Sequence, residues 1–192
     1  MENFYQRCYD KMSLIIHETK LKDVFIIEPK INYDSRGFFL EAYNKKVFSS
    51  HGIDYNFIQD NHSLSIKRGT IRGIHYQIEP FAQTKLVRCI RGEIIDYAID
   101  LRLNSDTFLQ YIQAKLNPEN QKQLLIPKGF GHAFITMEDN TEVVYKVDNY
   151  YSKNHERSIN YLDPKINIKW PIKSSITISQ KDLQAEFWSN ES

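Results

Sequence analysis

Two cysteines, Cys8 and Cys89, are all that the 192 residues hold. They are too few for a disulfide framework and stand without companions at metal-ligand spacing. An excess of one charge sign is also missing. The formal net charge is +1, which removes the whole-chain electrostatic argument for binding nucleic acid or a membrane surface. No apolar run approaches the roughly 20 residues of a membrane-spanning helix, and the opening residues carry no signal-peptide pattern. The expectation is a cytoplasmic protein with reduced thiols. No repeat, low-complexity tract or linker divides the chain, so residues 12–192 read as one domain. Residues 1–11 read as an N-terminal extension, in which Phe4, Tyr5, Cys8 and Tyr9 recur at near-helical spacing.

What is present is β-structure. Hydrophobic residues make up 41% and charged residues 26%, and the 12 Tyr and 11 Phe suit sheet faces. Short strands are expected over residues 24–27, 38–43, 69–77, 85–90, 93–101, 108–116, 123–126, 132–137 and 141–151. Arg91-Gly92 reads as the turn of a hairpin between residues 85–90 and 93–101. Asn44 can cap a helical turn ending before Gly52, and residues 179–188 read as a capped terminal helix. Many short strands with little helix between them indicate an antiparallel barrel or sandwich.

The stretch Gly69-Thr70-Ile71-Arg72-Gly73-Ile74-His75-Tyr76-Gln77 is the predicted working centre. As a strand it puts Ile71, Gly73, His75 and Gln77 on one face. Glycine, histidine and glutamine together make a poor wall for a dry core and a good one for a polar ligand. Lys85 opens the next strand, bringing a cation near a possible base.

Several motifs stand around this centre. They are Asp34-Ser35-Arg36-Gly37-Phe38-Phe39, Gln59-Asp60-Asn61-His62-Ser63, Arg72-Gly73-x-His75-x-Gln77, Lys85-Leu86-Val87-Arg88-Cys89, Pro127-Lys128-Gly129-Phe130-Gly131-His132, Val144-Tyr145-Lys146, Asn149-Tyr150-Tyr151 and Ser179-x-Lys181-Asp182. In this order, over residues 15–185, they closely resemble the dTDP-4-dehydrorhamnose 3,5-epimerase family. The resemblance implies an all-β, cupin-type antiparallel jelly roll with short peripheral helices, one near the C-terminus. It also implies a substrate in which a 4-keto-6-deoxy sugar is linked to dTDP, a homodimer with exchanged strands, and no cofactor. By the same resemblance His75 is the base, Lys85 stabilises the enolate, Tyr145 returns a proton and Asp182 orients His75. Arg36 and Arg72 match phosphate-contacting positions, while Glu41, Gln59, Asn61, His132 and Tyr151 match positions around nucleotide and sugar. Metal-using cupins present more ligands than the His75-Tyr76-Gln77 motif and His132 provide, so a base without a metal is expected.

Other readings stay open at this stage. Asp182 stands three residues after Ser179 and could be the acidic partner of a capping box. Tyr145 could be one more aromatic on a strand, Lys85 an exposed edge-strand charge, His75 a satisfied core histidine, and His132 a residue that ligates nothing and only shapes the pocket by hydrogen bonds. Rival functions are an epimerase acting on one carbon or on another nucleotide or heptose, a non-catalytic sugar-binding cupin, and a metal-dependent cupin oxygenase.

Overall fold

The computed structural model describes residues 13–189, so the extension expected over residues 1–11 lies outside the described residues. Among the described residues thirteen strands and two short helices follow one another. The first half of the chain gives β1 (Leu14–Glu18), β2 (Phe25–Pro29), β3 (Asn32–Asp34), β4 (Gly37–Phe39), α1 (Lys45–Ser50), β5 (Gln59–Ser65), β6 (Ile71–Gln77) and β7 (Lys85–Arg91). The second gives β8 (Ile94–Asp100), β9 (Tyr111–Leu116), β10 (Gln123–Ile126), β11 (Phe130–Thr136), β12 (Thr141–Val147), β13 (Glu156–Ser158) and α2 (Gln180–Leu183).

The strands form a six-stranded sheet in the order β1-β2-β10-β7-β12-β5 and a five-stranded sheet in the order β13-β6-β11-β8-β9. Every strand pairing in them is antiparallel. β3 and β4 stand apart as a two-stranded hairpin. This is the antiparallel sandwich expected from the many short strands, and the jelly roll that the family resemblance implies.

The core lies in three layers. Between the sheets, Val87, Cys89, Leu124, Ile126 and Val143 from the six-stranded sheet meet Ile94, Ala98, Ile112 and Phe134 from the other. On the outer face of the five-stranded sheet, Tyr97, Ile99 and Ile135 are covered by Ile159, Ile166, Trp170 and Trp188. Outside the six-stranded sheet, α1 buries Val47 and Phe48 against Ile27, Leu86 and Leu125. β8 is therefore covered on both faces, which explains why all but one of its residues are buried. Among the described residues no helix is long and apolar enough to cross a membrane.

Five local expectations change, the first being the strand expected over residues 38–43, which covers only Gly37–Phe39. Arg91-Gly92 does not turn a hairpin: β7 and β8 belong to different sheets, so the turn is a corner between layers. An added Cβ at Gly92 would lie 2.4 Å from Thr141 Oγ1, and its φ of +71° suits glycine. The terminal helix is a single turn, because the chain beyond Leu183 leaves the helix to seat Trp188 against Tyr76 and Phe108. The strands expected over residues 108–116 and 141–151 are shorter, covering only Tyr111–Leu116 and Thr141–Val147. β1, β13 and most of β5 carry too little apolar alternation to announce themselves as strands. Asn44, by contrast, is the N-cap of α1, its side chain accepting from the backbone N–H groups of Lys46 and Val47.

Candidate active site

A cavity of about 440 Å³ opens between the two sheets. β6 contributes Arg72 and His75, β11 His132 and β12 Tyr145, while β7 contributes Lys85 and the α2 turn Asp182. A smaller recess beside it, lined by His75, Gln77, Lys85 and Tyr145, also holds Tyr151 and Glu156. Six of the residues singled out from sequence thus converge on the larger cavity, with Tyr151 in the recess.

Gly73 is what lets β6 pass here. Its φ is +124°, and an added Cβ would fall 2.5 Å from the Cβ of Ala133 on the neighbouring strand. No side chain fits. Two residues on, His75 Nε2 is 2.6 Å from Asp182 Oδ1. Asp182 is buried, and burial alone would raise its carboxyl. The bonds and charge of His75, the Ser179 hydroxyl and the backbone of Gly73 outweigh burial and hold the pKa below the usual value. An ionised carboxylate only accepts, so Nε2 carries the hydrogen and Nδ1 is left with the lone pair. Asp182 also fills the role expected of a first-turn acid. Its backbone N–H donates to Ser179 Oγ at 3.1 Å, so Ser179 caps the turn while the Asp182 carboxylate is directed to His75.

Lys85 is not an edge charge. Its strand lies inside the sheet between β10 and β12, and the residue is only 9% exposed. Burial lowers its pKa to about 8, against the pull of Asp96 and Glu156. Its hydrogen bond to the backbone oxygen of His75 is long, at 3.5 Å, which leaves most of its donor capacity for a bound oxygen. Tyr145 neighbours it on β12, and burial raises its pKa, partly offset by Arg72. The phenol therefore holds its proton at neutral pH.

His132 is paired in register with His75 on the adjoining strand. Its Nε2 lies 2.7 Å from Asp96 Oδ1, and burial lowers its pKa despite that carboxylate. Gln77, which stands where a metal-binding cupin would offer a ligand, uses its amide otherwise. It donates to the backbone oxygens of Phe81 (2.6 Å) and Tyr150 (3.2 Å) and accepts from Ser152 N–H at 2.6 Å. Among the described residues no cluster of three or more His, Cys, Asp or Glu is placed to hold a metal ion.

At the rim, the Arg72 guanidinium is aimed by Ser65 Oγ (3.1 Å) and the backbone oxygen of Leu64 (2.9 Å). The remaining expected residues stand away from the cavity. Arg36 sits on the exposed β3–β4 turn, paired with Asp34 at 2.5 Å. Glu41 accepts from Asn44 on the way to α1. Gln59 donates to Asn61 at 2.8 Å on β5, where Asn61 pairs with Tyr145. Asp96 and Glu156 were not anticipated. For Asp96 a signal exists: a carboxylate sharing a strand face with Ile94 and Ala98 is out of place unless something pairs with it. Glu156 follows a polar turn and carries no such mark.

The geometry has counterparts among known proteins. The family model described as dTDP-4-dehydrorhamnose 3,5-epimerase matches residues 18–190. A dTDP-4-dehydrorhamnose 3,5-epimerase from Shigella flexneri is 48% identical over 170 residues, 88% of this chain and 93% of the relative. The crystal structure of the enzyme of that name from Bacillus anthracis, with TDP and PPi bound, superposes with a TM-score of 0.88 at 44% identity, covering 91% of this chain and 99% of the other. A dTDP-6-deoxy-D-glucose-3,5-epimerase from Legionella pneumophila, in complex with dTDP-4-keto-L-rhamnose, gives 0.87 at 42% identity, covering 91% and 92%.

Proposed function

Because the chain belongs to the dTDP-4-dehydrorhamnose 3,5-epimerase family, we propose that it inverts C3 and C5 of dTDP-4-dehydro-6-deoxy-D-glucose to give dTDP-4-dehydro-L-rhamnose. The C4 ketone acidifies the hydrogens on both neighbouring carbons. Inversion at each requires a base on one side of the ring, a cation at the enolate oxygen and a proton donor on the other side.

The observation that carries this reading is the origin of the groups on opposing sheets. His75 comes from β6 in one wall, and Tyr145 and Lys85 come from β12 and β7 in the other. His75 takes the proton at Nδ1, and Asp182 stabilises the imidazolium that results. The Lys85 ammonium, held in a site shielded from water, meets the charge that grows on O4. Tyr145 delivers a proton to the opposite face and recovers one from solvent. His132, kept neutral by burial and braced by Asp96, offers the sugar a fixed polar contact. Neither a metal nor a cofactor takes part in this mechanism.

Arg72 and Tyr151 bind the nucleotide sugar in this proposal, with Arg36, Glu41, Gln59 and Asn61 completing the nucleotide side. Arg36 and Glu41 do so from a second copy. The β3–β4 hairpin leaves Tyr33, Phe38 and Phe39 at 71%, 55% and 67% exposure, which fits an arm that crosses to the other subunit of a homodimer and stacks on the base. A cytoplasmic location is part of the proposal and accords with Cys89 as a buried free thiol.

The test is incubation with the 4-keto-6-deoxy nucleotide sugar in heavy water. Deuterium at both C3 and C5 of an inverted product supports the reading. Deuterium at one carbon alone moves the enzyme to the one-carbon epimerases, and none at either carbon rejects catalysis. His75→Asn is expected to lower inversion and exchange together by about 10²–10⁴-fold. Tyr145→Phe is expected to retain exchange at the base while losing most inverted product.

A further inference from the structure

The side chain that ends β6 is an amide committed entirely to two loops. Gln77 is only 8% exposed and stands two residues beyond His75 on the same strand. Its Nε2 donates to the backbone oxygens of Phe81 (2.6 Å) and Tyr150 (3.2 Å), and its Oε1 accepts from the Ser152 N–H at 2.6 Å. The partners are two backbone carbonyls and one backbone N–H, so only one orientation of the amide satisfies all three. A carboxylate of the same shape would turn an oxygen toward both carbonyls.

Tyr150 and Ser152 are the two chain neighbours of Tyr151. The segment that carries them, residues 148–155, joins β12 to β13 and belongs to neither sheet. Near its start Gln83 Nε2 donates to the backbone oxygen of Asn149 (2.8 Å), and Asn149 Nδ2 donates to that of Pro80 (2.9 Å). Near its end the Ser152 hydroxyl bonds the His155 ring at 2.8 Å. Gln77 grips the middle, on both sides of Tyr151, and Phe81 braces the amide from the connection between β6 and β7. Tyr151 lines the recess with His75, Lys85 and Tyr145. It is 54% exposed, so packing does little to hold its ring, and its hydroxyl donates to Glu156.

We propose that Gln77 is a positioning residue: by bracketing Tyr151 it presets that ring at the recess, so the loop need not be ordered when the nucleotide sugar binds. This rests on the epimerase reading. His75 is oriented from elsewhere, by Asp182, so the effect belongs in KM more than in kcat.

The experiment measures kcat, KM and melting temperature with the 4-keto-6-deoxy nucleotide sugar in heavy water. It compares the parent with Gln77→Met, Gln77→Glu, Tyr151→Ala and the Gln77→Met/Tyr151→Ala double variant. An inactive parent rejects the epimerase reading, and this inference with it, before any variant is compared. With an active parent, Gln77→Met and Gln77→Glu are each expected to raise KM about 10-fold, the size of one lost hydrogen bond, while kcat changes far less. Tyr151→Ala raises KM at least as much. The double variant is no worse than Tyr151→Ala alone, because Gln77 acts through that ring. Parent-like KM in a folded Gln77 variant, or losses that multiply in the double variant, overturns the proposal. Failure of both Gln77 variants to fold assigns the amide to the fold alone and overturns it as well.

Discussion

Lys85, in the role proposed for it, would serve the reaction at the expense of the fold. Its pKa of about 8 lies below the ordinary 10.5 because its charge is buried. The folded state thus holds this proton less tightly than the unfolded chain. Below pH 8 the buried ammonium weakens folding, on the order of 3 kcal/mol from the shift. The penalty fades as pH rises from 8 to 10.5. Lys85→Met should therefore abolish turnover yet raise stability at pH 7 by about 1–3 kcal/mol. Its denaturation midpoint should converge on the parent's as pH approaches 10.5, and urea unfolding across that range checks both signs. In the parent, kcat should fall above about pH 8 as the ammonium that steadies the enolate is lost. The acid limb has a separate cause. Asp182 is held ionised in the folded protein, so its contribution is present above the ordinary carboxylate range and lost on acidification. Exhaustive chelation should leave turnover unchanged, since His75, His132 and Gln77 all use polar atoms in hydrogen bonds inside the protein.

At the scale of elements, β6 and α2 are where sequence and structure agree and part. The Gly-x-His-x-Gln run could be flagged by its polar residues, but the expected alternation breaks at a bulge, so that Arg72 and His75 face one cavity while Ile71 and Ile74 pack together in the outer layer. Asp182 could be flagged from its spacing to Ser179, but its partner stands 107 residues away in sequence, and no local pattern reports such a distance. The corner at Arg91-Gly92 was misread for a similar reason. A glycine at positive φ fits a hairpin and a change of sheet equally well, and only the packing of β7 and β8 into different layers decides between them. Substitutions separate these roles. Ser179→Ala removes the cap of a one-turn helix and should lower stability by about 0.5–2 kcal/mol, with kcat falling as Asp182 loosens. Gly73→Ala forces a Cβ onto Ala133 at a φ of +124° and should destabilise by about 3 kcal/mol or more. Thermal melts beside kcat for both variants test the pair.

On the scale of the whole molecule, the exposed β3–β4 hairpin predicts a division between stability and binding. Among the described residues Arg36 is bonded to Asp34 alone, and its side chain is 88% exposed. Arg36→Ala should leave the melting temperature unchanged while raising KM several-fold, and activity should decline on dilution if the hairpin works from a second copy. The facing sheets have a different consequence. The proposed base and donor, His75 and Tyr145, belong to separate walls, so the gap between them is set by whatever fills the space between the sheets, as a shim sets the opening of a vice. Ile126 and Val143 from one sheet and Ala98 and Phe134 from the other are then gauge blocks for a reaction that none of them needs to touch. Thinning that layer with Ile126→Val costs about 0.5–1.5 kcal/mol of stability and should reduce inversion more than exchange, because lifting a proton needs one jaw and delivering another to the far face needs both.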